Sequence, residues 1–241
     1  MDRLTPRLVS ITVTGEALRG FELTQPTSHI KVFLAPDGGE LVLPTHGPDG
    51  PVFPDGAARP VIRTYTPRRY DEATNRLEIQ FALHGEGPAA RWAEQATAGD
   101  TLAVAGPGGR FQLDPSVARW WIAGDESALP AIAGLLESLS PTARAEVHIE
   151  VTDADDELPL AYDSITWHHR SPDAYGDSLL AAAQALTVEP DTNYWVACEA
   201  AAVRRIRRHL LDAGAPRQSL TTRGYWQLGE MNHLDHDYGE D

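Results

Sequence analysis

The chain has 241 residues, 42% of them hydrophobic and 23% charged, enough for one or two domains with a sizeable buried core. Its formal net charge of −15 disfavours nucleic acid and anionic membrane surfaces as partners. Cys198 is the single cysteine, which excludes an internal disulfide, a Cys-ligated iron–sulfur cluster and a Cys-rich zinc site; any redox chemistry then needs an organic carrier or one brought by a partner.

Met1 to Pro6 lack an apolar signal-like stretch, and no apolar run nears the ~20 residues of a membrane span. The expectation is a cytoplasmic monomer without membrane insertion. The first half then reads as β-structure. Leu8 to Val13 alternates and is β-branched, and Phe21 to Thr24 and Ile30 to Leu34 follow as strands. Gly38-Gly39 separates Ile30–Leu34 from Leu41-Val42-Leu43, a hairpin by pattern. Pro44 to Pro60 is rich in proline and glycine and reads as a surface loop or, equally, a disordered insertion, rather than an element. Val61 to Tyr65, Arg76 to Leu83 and Thr101 to Ala105 complete a set of short strands that suggests a small barrel.

Near Pro115 the pattern changes. Trp120 to Gly124 is a buried-type strand, Leu129 to Leu139 a helix, Glu146 to Val151 a strand, and Ser178 to Leu186 a helix. Asn193 to Cys198 is a third strand, and Glu199 to Leu211 a helix closed by Gly214. Alternation of this kind predicts a parallel sheet with crossover connections. The predicted boundary falls at residues 112–118, dividing the chain into 1–115 and 116–241. The acidic stretch from Glu230 to Asp241 is expected to fray.

Several segments have residue types suited to ligands. Arg63-Thr64-Tyr65-Thr66-Pro67-Arg68 offers a guanidinium fork for phosphate, an aromatic face and a hydroxyl. On a strand, Arg63 and Tyr65 share one face and Thr64 and Thr66 the other. Taken alone, such a segment is more often a sheet-surface strand with a Tyr on the core. His84-Gly85-Glu86-Gly87-Pro88-Ala89-Ala90 reads as a strand-to-helix turn with Pro88 at the first helical position, where free N–H groups can bind an anion. Ala105 to Phe111 is a glycine-rich turn that either lets backbone approach a ligand or simply turns the chain.

In the second half, Gly124-Asp125-Glu126-Ser127 joins a strand to a helix where open α/β sheets bind nucleotides. The G-x-G-x-x-G fingerprint is absent, so the acids either face a ribose or nicotinamide or cap the helix. Glu199 sits at a comparable strand end. Arg204, Arg205, Arg207 and Arg208 crowd the next helix, while Val203, Ile206 and Leu210 form its buried stripe. His168-His169 reads as part of a loop, and the histidines show no metal-ligand spacing; no Ser-His-Asp grouping stands out either.

Taken together and in order, the stretches RTYTPRRYD (63–71), FALHGEGPAARWA (81–93), AGPGGRF (105–111), IAGDESALPAIAGLLESL (122–139), VHIEVTDADDELPL (147–160), ACEAAAVRRIRRHL (197–210) and RGYW (223–226) resemble the siderophore-interacting protein family of ferredoxin–NADP reductase-like flavoproteins. The resemblance implies a β-barrel plus α/β fold: a six-stranded antiparallel FAD-binding barrel followed by a parallel-sheet NAD(P)H-binding-like domain. It implies that Arg63, Thr64, Tyr65, Thr66, His84, Gly85, Gly87, Pro88, Ala89 and Ala90 hold FAD. Asp125, Glu126, Ser127 and Glu199 would face the nicotinamide side, with Tyr225 and Trp226 near the flavin or the cleft mouth. The implied activity is reduction of a ferric siderophore by NADPH or NADH through FAD, with reduced ferredoxin as the alternative donor. No acid–base residue is required for outer-sphere transfer. A non-catalytic flavin- or chelate-binding protein and a general flavin reductase are the other readings. Two positions depart from the family: Ala90 where Ser is common, and Gln227 where Arg is common.

Overall fold

The structure, a computed structural model, describes residues 1–37, 39–48, 50–83 and 87–230. The first half contains strands β1 (Asp2–Thr5), β2 (Leu8–Thr14), β3 (His29–Leu34), β4 (Thr45–Gly47), β5 (Gly50–Val52), β6 (Val61–Tyr65), β7 (Pro67–Asp71) and β8 (Arg76–Ala82), then helix α1 (Pro88–Gln95) and β9 (Ala103–Gly108). They form a four-stranded antiparallel sheet, β1-β2-β8-β7, and a three-stranded one, β6-β3-β9. The two share a core of Val9, Ile11, Ile30, Val32, Leu77, Ile79 and Phe81. Alternation in β3 buries Ile30, Val32 and Leu34 and leaves their neighbours partly exposed, as a one-faced strand requires.

This arrangement corrects the expected six-stranded closed barrel. The chain leaves one sheet after Tyr65 and enters the other at Pro67, so β6 and β7 are consecutive yet lie in different sheets. Pro67 has no N–H to give a ladder and starts β7 at the edge of its sheet. The predicted strands Phe21–Thr24 and Leu41–Leu43 are not strands. Both edges of β3 are taken, by β6 and β9, so no edge is left for Leu41–Leu43 to form the expected hairpin; Gly38 in its turn lies outside the described residues. The proline-rich stretch expected to be pure loop carries the small hairpin β4–β5. In the glycine-rich turn, a β-carbon on Gly106, whose φ is +116°, would come within 3.1 Å of the His29 carbonyl oxygen. The close backbone approach there is to the protein's own β3.

The second half contains β10 (Arg119–Asp125), α2 (Leu129–Ser138), β11 (Arg144–Val151), β12 (Ile165–His169), α3 (Asp177–Ala185), β13 (Thr192–Glu199), α4 (Ala200–Asp212) and β14 (Leu220–Trp226). The strands form one parallel sheet in the order β12-β11-β10-β13-β14. His168 and His169, expected on a loop, end β12 because ITWHH pairs along β11. α2 covers one face through Leu129, Ile132, Leu135 and Leu136. α3 and α4 cover the other, with Val203, Ile206 and Leu210 buried as their spacing predicts.

The first unit docks on the α2 side of this sheet: Leu8 joins the Trp120, Ile122 and Trp195 cluster. Arg7 pairs with Asp153 and with the buried carboxylate of Asp156, which also accepts from Thr5 Oγ1 at 3.2 Å. Arg68 and Arg69 of β7 pair with Glu137 of α2. Gly134 lets α2 seat on the loop before β3, since a β-carbon there would come within 3.0 Å of the Pro26 carbonyl oxygen. Among the described residues no helix is long and apolar enough to cross a membrane.

Candidate functional site

Two groups of the predicted residues are brought together, one in each half. In the first, Arg63 and Tyr65 lie on the end of β6 and Thr66 sits buried at the corner between the sheets. Tyr65 packs its ring on Phe81, with centroids 4.4 Å apart. Burial pushes the Tyr65 hydroxyl well up, so it remains a protonated donor. Arg63 donates to the Ile62 carbonyl at 2.8 Å, and partial burial pulls its guanidinium down while Tyr65 opposes this. Thr64 faces away from this pair and accepts from Lys31 Nζ at 2.5 Å, across the β3–β6 ladder.

α1 packs against β6 and β8, and its Ala89 and Ala93 share the core cluster that Tyr65 borders. Gly87 is its N-cap, in an extended conformation with no side-chain capping bond. Pro88 occupies the first turn, as predicted, and Ala89 and Ala90 follow it buried. Among the described residues, no heavy atom beyond the chain neighbours lies within 4 Å of where a Gly87 β-carbon would be. Among the described residues the result is a helix start with no side-chain cap and open space beside Gly87, next to a strand bearing a guanidinium and a phenol, with a hydroxyl at its end. This donor set fits an anionic diphosphate joined to a flat ring system such as FAD. His84 and Gly85 lie outside the described residues.

The second group occupies the C-terminal ends of the parallel strands. β10 is where the sheet order reverses, and Asp125 and Glu199 end the two strands flanking that crevice. Asp125 is 3% exposed. One of its oxygens accepts from Ser127 N–H at 3.0 Å and the Ser127 hydroxyl at 2.5 Å. The other accepts from Glu199 N–H at 3.1 Å and Trp226 Nε1–H at 2.8 Å. Burial, and then the neighbouring Glu126 charge, push the Asp125 carboxyl up to about 7. Glu126 is itself gripped by Arg170 through both guanidinium nitrogens, at 2.6 and 2.5 Å. Glu199 caps α4 by accepting from Ala202 N–H at 2.9 Å. Gly124 must be glycine: a β-carbon would meet Ala128 Cβ and the Ala197 carbonyl oxygen at 2.8 Å each.

Sequence reasoning missed Glu150, Arg170 and Tyr175 here. Glu150 is 1% exposed and accepts from Gly176 N–H at 2.8 Å and the Ser178 hydroxyl at 2.5 Å. An acid near the end of a strand whose neighbours Ile149 and Val151 are apolar, as Glu150 is in β11, was the available clue. Cys198 is buried among these carboxylates, and burial and their charges push its thiol up, so it stays protonated. Tyr225 instead turns to the core face, edge-on to Trp195. A groove of about 900 Å³ opens at the opposite, N-terminal edge of the sheet, beside Arg119, Arg144 and Thr192, away from both groups.

Comparison with known proteins bears on both halves. A family profile described as siderophore-interacting FAD-binding domain matches residues 1–111, and one described as siderophore-interacting protein matches residues 117–229. The ferric vibriobactin reductase of Vibrio cholerae is 35% identical over 246 residues, covering 97% of this chain and 89% of that protein. The NADPH-dependent ferric-chelate reductase of Escherichia coli is 33% identical over 234 residues, covering 94% and 89%. Among solved structures, a siderophore utilization protein from T. fusca superposes with a TM-score of 0.86 at 34% identity, covering 95% of this chain and 90% of that one. The ferredoxin reductase of carbazole 1,9a-dioxygenase, at 15% identity and a TM-score of 0.67 over 91% of this chain and 63% of that one, shares the fold.

Proposed function

The chain belongs to the siderophore-interacting protein family, and we propose that it reduces ferric siderophores through bound FAD, with NADPH as the electron donor. Siderophores hold Fe(III) through hard oxygen donors that hold Fe(II) less tightly, so one-electron reduction frees the iron. Bound FAD supplies the exchange between a two-electron hydride donor and a one-electron acceptor. Arg63 and the N–H groups at the start of α1 hold the diphosphate; Tyr65 and Thr66 hold and orient the ring end. Residues 1–115 act as the flavin unit and 116–241 as the nicotinamide unit. Asp125, Glu126, Ser127, Glu199 and Trp226 form the nicotinamide-side wall, with no phosphate-binding glycine loop.

The observation that carries this reading is the packing of an uncapped helix start against a strand end bearing Arg63, Tyr65 and Thr66. The reading takes the protein as a cytoplasmic monomer. The outward arginines of α4, Arg204 and Arg208 among them, favour reduced ferredoxin, a generally acidic protein, as an alternative donor. An anaerobic absorbance titration tests the proposal. FAD-loaded protein should bleach with NADPH and recover its oxidised spectrum on adding a ferric siderophore. Bleaching only with reduced ferredoxin would replace the donor, and protein that takes up no FAD would overturn the reading.

A further inference from the structure

The crevice between β10 and β13 is bridged by one carboxylate. Capping the turn that follows β10 needs only the Asp125 oxygen bound to Ser127. The second oxygen is shared by the Glu199 backbone and the Trp226 indole, 101 residues away in sequence. From Trp226 the contacts continue in a ring. Its indole meets Tyr175 edge-on, with centroids 5.0 Å apart and planes at 87°. The Arg170 guanidinium lies 5.0 Å from the Tyr175 ring centroid and returns to Glu126, the neighbour of Asp125. The ring thus joins the ends of β14, β12 and β10 to the loop before α3.

We propose that Asp125 is a positioning residue that locks Trp226 as a fixed aromatic wall of the crevice, against which the nicotinamide donor packs. This rests on the reading that the crevice takes a reduced nicotinamide nucleotide. Trp226 ends β14, is only partly buried and meets Tyr175 edge-on, and the bond from its indole N–H to Asp125 fixes which way the ring faces. A carboxylate accepts that bond strongly.

The groups facing Asp125 are Glu126 on its own turn, Cys198 and Glu199 on β13, Glu150 on β11, and Arg170 beyond β12, with Arg205 of α4 acting on Cys198. Burial first, and then the Glu126 charge, raise the Asp125 carboxyl to about 7, so it takes up a proton near neutrality. Protonation turns one acceptor oxygen into a donor and loosens the grip on the indole. The lock is therefore firm in mild base and slack in mild acid.

The test uses Asp125→Asn, Trp226→Phe and the double variant. Trp226→Phe keeps an aromatic ring and removes only the donor. In flavin-free protein, the Trp226 indole proton, assigned by its loss in Trp226→Phe, should resonate downfield and exchange slowly. It should titrate near neutrality, and both features should vanish in Asp125→Asn. In FAD-loaded protein with NADPH, each single variant should raise KM by roughly threefold to tenfold, the scale of one hydrogen bond, with less effect on kcat. The double variant should be no worse than either single one. An indole signal unmoved in Asp125→Asn, or additive effects on KM, would overturn the proposal. Flavin that NADPH never reduces would defeat the functional reading instead, while the indole signal would still judge the Asp125–Trp226 lock.

Discussion

Arg68 reaches from β7 to both carboxylate oxygens of Glu137 at the end of α2, at 3.0 and 2.5 Å, and so ties the sheet of the first unit to a helix of the second. Arg69 adds a third bond at 2.9 Å. The Arg68 bonds lead in holding the Glu137 carboxyl below its ordinary range.

A depressed carboxyl stabilises the fold above its unfolded pKa and loses that contribution as pH falls through its folded value. Because the Glu137 side chain is 37% exposed, solvent screens the pair. Glu137→Gln should therefore cost only about 0.5–1 kcal/mol at pH 7. The difference from wild type should shrink below about pH 4. Urea unfolding at several pH values measures this; a gap that grows in acid would contradict it.

Arg63→Ala should weaken FAD binding. Hydrogen bonds to charged groups contribute about 1.5–3 kcal/mol, so Kd should rise by roughly 10-fold to 150-fold. Flavin fluorescence titration of flavin-free protein reads this directly. Unchanged affinity would remove Arg63 from the diphosphate site.

Gly87→Ser separates folding from binding. The glycine is extended at a helix N-cap with, among the described residues, open space around its missing β-carbon, so serine fits and adds a capping hydroxyl. Stability should hold or rise by a few tenths of a kcal/mol. If the diphosphate sits on this helix start, the new side chain stands in its way and FAD affinity should fall. Thermal melts beside flavin titrations test both halves, and a variant that binds FAD as well as wild type would argue against that seat.

Asp125 predicts an unusual pH trend. Its carboxyl is raised to about 7 in the fold, so the native state keeps a proton that the unfolded chain has already released. The Asp125 contribution to stability should fall as pH rises from about 4 through about 7, then level off. Asparagine does not titrate, so the Tm advantage of wild type over Asp125→Asn should narrow between pH 5 and 8. A gap independent of pH would show that burial leaves Asp125 unperturbed.

Elements with their own continuous burial were legible in the sequence. Trp120 to Gly124 is apolar on both faces and reads as a central parallel strand, which β10 is. The 3.6-residue stripe of α4 and the Pro88 helix start are equally local features. Four edge strands were not legible: β1, β7, β12 and β14 take their shape from one neighbour, and only three of the seven residues from Leu220 to Trp226 are buried. The candidate residues on each half could be named, but their partners could not. Glu126 meets Arg170 and Asp125 meets Trp226 only because strand order brings 12, 10 and 14 to one end of the sheet. Nothing within either segment encodes that order.

The attachments between the two units have a mechanical meaning. Arg7 on Asp156, Arg68 on Glu137, and the bare backbone of Gly134 against Pro26 join the units at three separate places rather than along one line. On the proposed function, entry of a bulky iron chelate is a matter of how near its metal can come to the edge of the flavin site.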